Sequence, residues 1–261
     1  MALVQKRSTL KIWGDVIFAI FLREIKSKFS DRLGIAWAVV SPVIFIFALS
    51  FARGAIDNGV THSIPTFFFM MYGMILVQFL MGLIASLSSA IQKNKQLFAF
   101  RQVQPISSIL AVAGFELLAK AFVIVTLALI CYILQLKIEI SDPIGILSNV
   151  IKVFIISTSI GMLIALMSCY VPEIQKLQAL AMRPIFFISG IFFSLQDIPQ
   201  EYWHYLTWNP LLHAVELTRY AAYPSYGNVG VSELYLNMFT ICSAFFALAC
   251  YHISWKQAIS R

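Results

Sequence analysis

Six apolar runs, at residues 35–53, 65–90, 106–136, 144–170, 180–195 and 234–255, constrain this chain more than any other feature. A helix needs about 20 predominantly apolar residues to cross a bilayer. Backbone polar groups in hydrocarbon must be satisfied internally, which leaves helices or closed barrels. These runs are continuous rather than alternating, so the expected fold class is an all-α integral membrane protein with six transmembrane helices. Charged residues make up only 12% of the chain, against about 25% in a soluble domain, and a water-soluble fold is excluded. The third and fourth runs are over-long, which predicts a tilt or an interfacial turn. The fifth is short, as a re-entrant segment would be.

Residues 1–34 hold seven cations, Lys6, Arg7, Lys11, Arg23, Lys26, Lys28 and Arg32, around a short apolar stretch that is too short to span. No small-residue cleavage site follows it, which argues against a secretory signal peptide. The expectation is an amphipathic helix on the inner membrane surface. Trp13, Ile17, Ile20, Phe21 and Ile25 would face lipid, with the cations near anionic headgroups. The loop after the second run adds Lys93, Lys95 and Arg101, the loop after the fourth adds Lys176 with Arg183 close behind, and the tail 256–261 adds Lys256 and Arg261. Fourteen of the 19 cations therefore fall on one side. Asp57, Glu139, Asp142, Asp197, Glu201, Glu216 and Glu233 collect on the other. The positive-inside rule then places both termini of this multi-pass membrane protein in the cytoplasm, and no nucleic-acid partner is expected.

Residues 185–223 begin as a span, pass into an aromatic loop and rebuild a helix after Asn209-Pro210. Asn is a good N-cap and Pro suits the first helical position. Short helices folded back at the outer membrane surface are expected over 196–223, where Trp and Tyr rings sit well.

Several functions are disfavoured. No phosphate-binding G-x-x-x-x-G-K-[ST] loop occurs, so ATP is not bound by that device. His62, His204, His213 and His252 lack metal-ligand spacing, and Cys131, Cys169, Cys242 and Cys250 form no CxxC. There is no voltage-sensor arginine repeat, filter loop or matched pair of broken helices. Clustered cytoplasmic acids for Mg²⁺, as a membrane enzyme of lipid-linked sugars would need, are absent: Asp15, Glu24, Asp31 and Glu173 are scattered. Within the spans, Glu116 and Lys120 lie four apart and are expected to pair. The basic loop 92–105 carries Leu97, Phe98 and Phe100, and exposed rings there would need a partner to cover them.

The order of these pieces resembles a known family. The segments LREIKSKFSDRLGIAWAVVSP, VQPISS and SGIFFSLQDIPQEYWHYLTWNPLLHAVELTRYAAYP are similar to those of the transmembrane subunits of ABC-2-type polysaccharide exporters. Among these the chain looks most like the capsule polysaccharide export inner-membrane proteins of Gram-negative bacteria. The resemblance covers nearly the whole chain, with residues 35–255 as the transmembrane domain. It implies a homodimer that binds no cofactor itself and two copies of a cytoplasmic ABC ATPase carrying ATP and Mg²⁺. It also implies a periplasmic co-polymerase-type protein, an outer-membrane channel and an acidic, lipid-linked polysaccharide as cargo. Residues 12–30 would be the interfacial helix. Residues 92–101 would be the coupling helix against the ATPase, with Lys95, Leu97, Phe98, Phe100 and Arg101 in contact. The periplasmic gate helices would be 198–206 and 210–222. Aromatic rings stack on sugar C–H faces, so Tyr202, Trp203, Tyr205 and Trp208 are candidates for the polymer path, with Arg53, Arg183 and Arg219 for acidic groups. The same architecture could instead carry O-antigen or teichoic acid.

Overall fold

The computed structural model describes residues 8–29, 32–56, 59–100 and 102–260. Nine α-helices occur among them: α1 Thr9–Phe29, α2 Arg32–Ile56, α3 Thr66–Ser88, α4 Ala90–Lys93, α5 Pro105–Ile133, α6 Pro143–Tyr170, α7 Ile174–Ile188, α8 Pro210–Ala222 and α9 Glu233–Ser260. One two-stranded antiparallel ribbon, β1 Val60–Thr61 with β2 Ile64–Pro65, closes the link from α2 to α3.

Proline and a preceding polar residue set several helix starts. Pro105, Pro143 and Pro210 occupy first-turn positions, where their missing N–H is not needed. Asp142 accepts from the Gly145 amide at 3.0 Å, and Asn209 accepts from Leu211 at 3.0 Å. The Asn-Pro expectation is met.

Helix α3 is the buried axis, with Phe69, Met70, Met74, Leu83, Ile84 and Leu87 all inaccessible. Its main partner is α6. A side chain at Gly161 of α6 would lie 2.7 Å from Leu87, so the two helices touch where only glycine fits. Helices α2, α5, α7 and α8 surround α3, and α9 covers the far face of α6.

Among the described residues, five helices are long and apolar enough to cross a membrane: Val39–Ile56 within α2, then α3, α5, α6, and Glu233–Ala258 within α9. Helix α5 has 29 residues and α6 has 28, so each extends more than 40 Å at about 1.5 Å per residue. The fifth apolar run does not give a sixth long helix. Helix α7 has 15 residues with Pro184 inside it, and it stops at Gly190, whose φ of +73° a side chain would resist. The backbone then runs on without regular helix to a 3-10 turn at Leu195–Asp197. Contacts of this stretch nevertheless follow the whole of α3. Gln175 donates to the Ser88 carbonyl at one end of α3, and Asp197 meets His62 beyond the other.

One further expectation is corrected. In α1, the face carrying Ile17, Ile20 and Phe21 packs on α5 instead of facing lipid; Ile20 is buried and Phe21 lies against Gly114. Leu10, Phe18 and Leu22 are the outward residues. Nearly all of helix α8 is buried among α3, α6 and α9.

Candidate functional site

The end of the molecule beyond Thr66 of α3 is built around one arginine. Arg219 of α8 is completely buried. Its Nε donates to the Phe69 carbonyl at 3.1 Å and its guanidinium carbon stands 3.5 Å from the Phe69 ring centre. Nη2 donates to the Ile191 carbonyl at 3.1 Å, and Nη1 to the Phe193 carbonyl at 3.4 Å and Glu216 Oε1 at 3.2 Å. A charge without water is tolerable only when paired and hydrogen-bonded, and both conditions hold. The carbonyls it caps belong to the backbone after Gly190, which has no helix ladder. Arg219 is thus a clamp for unwound backbone, and the expectation that it lines a polymer path is corrected. Its neutralising partner in sequence, three residues earlier on the same helix, was the signal available.

Glu216 is satisfied on its other side. The Tyr226 hydroxyl donates to Oε2 at 2.7 Å and also lies 2.7 Å from the Ser194 hydroxyl. Burial raises the Tyr226 phenol above its usual range, so it stays protonated as a donor. Asp197 accepts from the Ser194 amide at 2.8 Å and pairs with His62 at 2.6 Å, tying the β1–β2 turn to the 3-10 segment.

A neutral histidine fixes the aromatic loop. His213 Nε2–H donates to the Thr207 carbonyl at 2.8 Å, and Nδ1 accepts from the Ser232 amide at 3.0 Å. A carbonyl only accepts and an amide N–H only donates, so these partners assign the tautomer. Burial holds the imidazole below its ordinary value of 6.5, opposed by the Thr207 hydrogen bond.

On this frame the loop 200–208 presents Tyr202, Tyr205 and Trp208, exposed by 54%, 65% and 59%. Trp203 is different. Its indole donates to the Ile198 carbonyl at 2.8 Å and packs over Gly230, where a Cβ would fall 2.6 Å from the ring. Trp208 is held by its indole bond to the Tyr205 carbonyl and by Tyr235, which donates to the Trp208 carbonyl.

The opposite end carries the loop 92–101. It folds as α4 followed by a 3-10 turn at Lys95–Ala99. Phe98 is buried in its own chain, in a small cavity with Ile91, Cys169 and Pro172. Phe100 is 65% exposed, Lys95 is exposed and Leu97 half-buried. Arg101 lies outside the described residues. The loop is seated by Gln92, which donates to the Ser168 carbonyl and accepts from Gln175, and by Asn94, which bonds the Ala90 carbonyl and Arg23 of α1.

Glu116 attracts Lys120 electrostatically, but its closest cation is another. Its carboxylate takes Lys28 of α1 at 2.7 Å and the Ser86 hydroxyl of α3 at 2.6 Å. The partner lies far away in sequence, and no local spacing points to it. Lys120 and Arg183 face one cavity together with that pair. Arg53, half-buried near the end of α2, is not among the residues lining that cavity.

Residues 15–223 match the ABC-2 type transporter family. Two proteins named polysialic acid transport protein KpsM, both from Escherichia coli, are similar to this chain. One is 36% identical over 247 residues, covering 94% of this chain and 95% of the relative. The other is 35% identical over 246 residues with the same coverage. The capsule polysaccharide export inner-membrane protein BexB of Haemophilus influenzae is 23% identical over 243 residues, 88% of this chain and 90% of that protein. The family match extends from α1 through the Arg219 clamp, and by it this multi-pass membrane protein belongs to the ABC-2 type transporter family.

Proposed function

We propose that the chain is the transmembrane subunit of an ATP-driven exporter of a lipid-linked capsular polysaccharide across the bacterial inner membrane. The observation that carries this reading is the 36% identity, over 94% of the chain, to a protein named for polysialic acid transport. The chain works as a homodimer whose two copies enclose the path, and two copies of a separate ATPase supply the energy. A periplasmic co-polymerase-type protein and an outer-membrane channel continue the route.

The ATPase seats against 92–101, with Phe100 and Lys95 as the accessible contacts. Exposed basic and aromatic side chains beside a rigidly bonded turn favour this surface. Gln92 and Gln175 link the turn to Ser88 at the end of α3, giving a mechanical route from the loop to the buried axis. The stretch 174–197 makes the sixth crossing, half as helix α7 and half as clamped backbone, in keeping with its contacts along α3. Both termini are then cytoplasmic, as the cation distribution also favours. At the outer end, Tyr202, Tyr205 and Trp208 form a sliding surface for sugar rings. Three exposed rings, with Trp208 fixed by its indole bond to the Tyr205 carbonyl, supply broad stacking without one tight site.

Deleting the gene and measuring polymer on and inside the cell tests this. Trapped intracellular polymer with a bare surface is the expected result. A normal capsule, or no polymer in either place, would overturn it.

A further inference from the structure

Another cavity, of about 320 Å³, opens at the Thr66 end of the molecule, between the start of α6, the end of α8 and the start of α9. That volume is the lower end of the range for small-molecule sites, roughly 300–1,000 Å³. The charged residues in its wall are both acidic: Asp142 of α6 and Glu233 of α9. Lys152 reaches Glu233 at 3.0 Å, whereas Asp142, among the described residues, meets no cation. Asp142 Oδ1 accepts from the Gly145 amide, and a side chain at Gly145 would run into Oδ2. Glycine at that position therefore leaves the second oxygen open. Asn149, two turns farther along α6, adds an independent observation. It is only 4% exposed, it lines the same cavity, and among the described residues its amide has no hydrogen-bond partner. A buried amide left unmade is destabilising, and in a native protein it calls for an explanation. The Tyr220 ring, Leu217 and Pro224 complete the wall with apolar surface.

We propose that this cavity takes an arginine side chain presented by another polypeptide. The guanidinium donates to Asp142 Oδ2 and to the Asn149 amide oxygen, the Tyr220 ring stacks on its plane, and Leu217 and Pro224 flank its aliphatic stem. Five donors in a planar fork serve two acceptors at different depths, which the compact ammonium of a lysine does less well. An anion would meet two carboxylates and, in the wall itself, no cation. A bare divalent ion would leave the apolar wall unused, and among the described residues no three His, Cys, Asp or Glu side chains gather to hold one. The assignment does not depend on the export reading, since it concerns a partner contact away from the rings of Tyr202, Tyr205 and Trp208.

The test is saturation-transfer NMR on the full chain purified in detergent. The probes are N-acetyl-arginine methylamide, which mimics a side chain within a polypeptide, its neutral citrulline and basic lysine counterparts, free arginine and Ca²⁺. The arginine amide should bind about tenfold more tightly than the citrulline amide, as one charge-assisted contact implies. Asp142→Asn should remove that preference while the fold persists, because Asn also caps a helix well. Asn149→Leu should weaken binding and raise the melting temperature, since it removes an amide that the empty site leaves unmade. A merely structural Asn149 would instead lose stability on that change. Equal binding of the arginine and citrulline amides, or unaltered binding in both variants, overturns the site, as does a lower melting temperature for Asn149→Leu. Displacement of the arginine amide by millimolar Ca²⁺ would make it a metal site, and equal binding of the lysine amide would overturn the guanidinium. Tighter binding of free arginine than of its capped amide would make the ligand a free amino acid and overturn the polypeptide. Normal capsule in the deletion strain would sink the export reading and leave this result standing.

Discussion

Arg219 and Phe69 meet twice: the guanidinium lies 3.5 Å over the ring, and Nε donates to the carbonyl of the same residue. Replacing Arg219 by Gln leaves Glu216 buried and the Ile191 and Phe193 carbonyls uncapped. Breaking a buried pair from one side costs about 3–5 kcal/mol. The expected outcome is a clear fall in melting temperature in detergent, which Arg219→Lys does not restore because an ammonium cannot reproduce the planar fork.

Phe98 and Phe100 should separate folding from docking. Phe98→Ala removes a buried ring and should destabilise the chain by about 3 kcal/mol, read as reduced folded yield. Phe100→Asp alters an exposed ring. It should leave the melting temperature unchanged while weakening co-purification of the ATPase. Normal ATPase recovery with Phe100→Asp would place the contact elsewhere.

The outer aromatic loop gives a similar contrast. Tyr205→Ala with Trp208→Ala should slow appearance of surface polymer several-fold at equal protein level. Trp203→Ala should instead lower protein level, since its indole fills the space over Gly230. Wild-type polymer in the first variant would make those rings lipid anchors.

His213 predicts acid sensitivity at the same loop. The folded state binds this proton less readily than the unfolded chain, whose ordinary value is 6.5. The contribution is therefore full above that value and is lost as pH falls through the lower folded one. Protonation would set a second N–H against the Ser232 amide. Amide hydrogen exchange across 207–232 should quicken on acidification, and His213→Gln should blunt the change.

Hydropathy made much of the frame legible. The runs 65–90, 106–136, 144–170 and 234–255 correspond to α3, α5, α6 and α9, and Asn209-Pro210 marked the start of α8. Long apolar helices are local objects, and their caps and prolines are written beside them. The sites were less legible because their partners are distant. Arg219 reads as a free cation until Phe69, Ile191 and Phe193 are folded around it. The i,i+4 spacing pointed Glu116 to Lys120, yet Lys28 and Ser86 reach it first. Phe98 and Phe100 look alike in sequence, and only the 3-10 turn decides which is covered.

The carbonyls that Arg219 caps precede it in the chain, and that fixes an order of biogenesis. Synthesis runs from the N-terminus, so residues 189–194 enter the membrane before their donor exists. Until α8 arrives, their bare peptide groups have only water, the translocation machinery or lipid headgroups to turn to. A released chain truncated just short of Arg219 would therefore leave 189–194 without its donor and 174–197 more accessible to proteases than in the full chain. A chain carried through the end of α8 would shut that window.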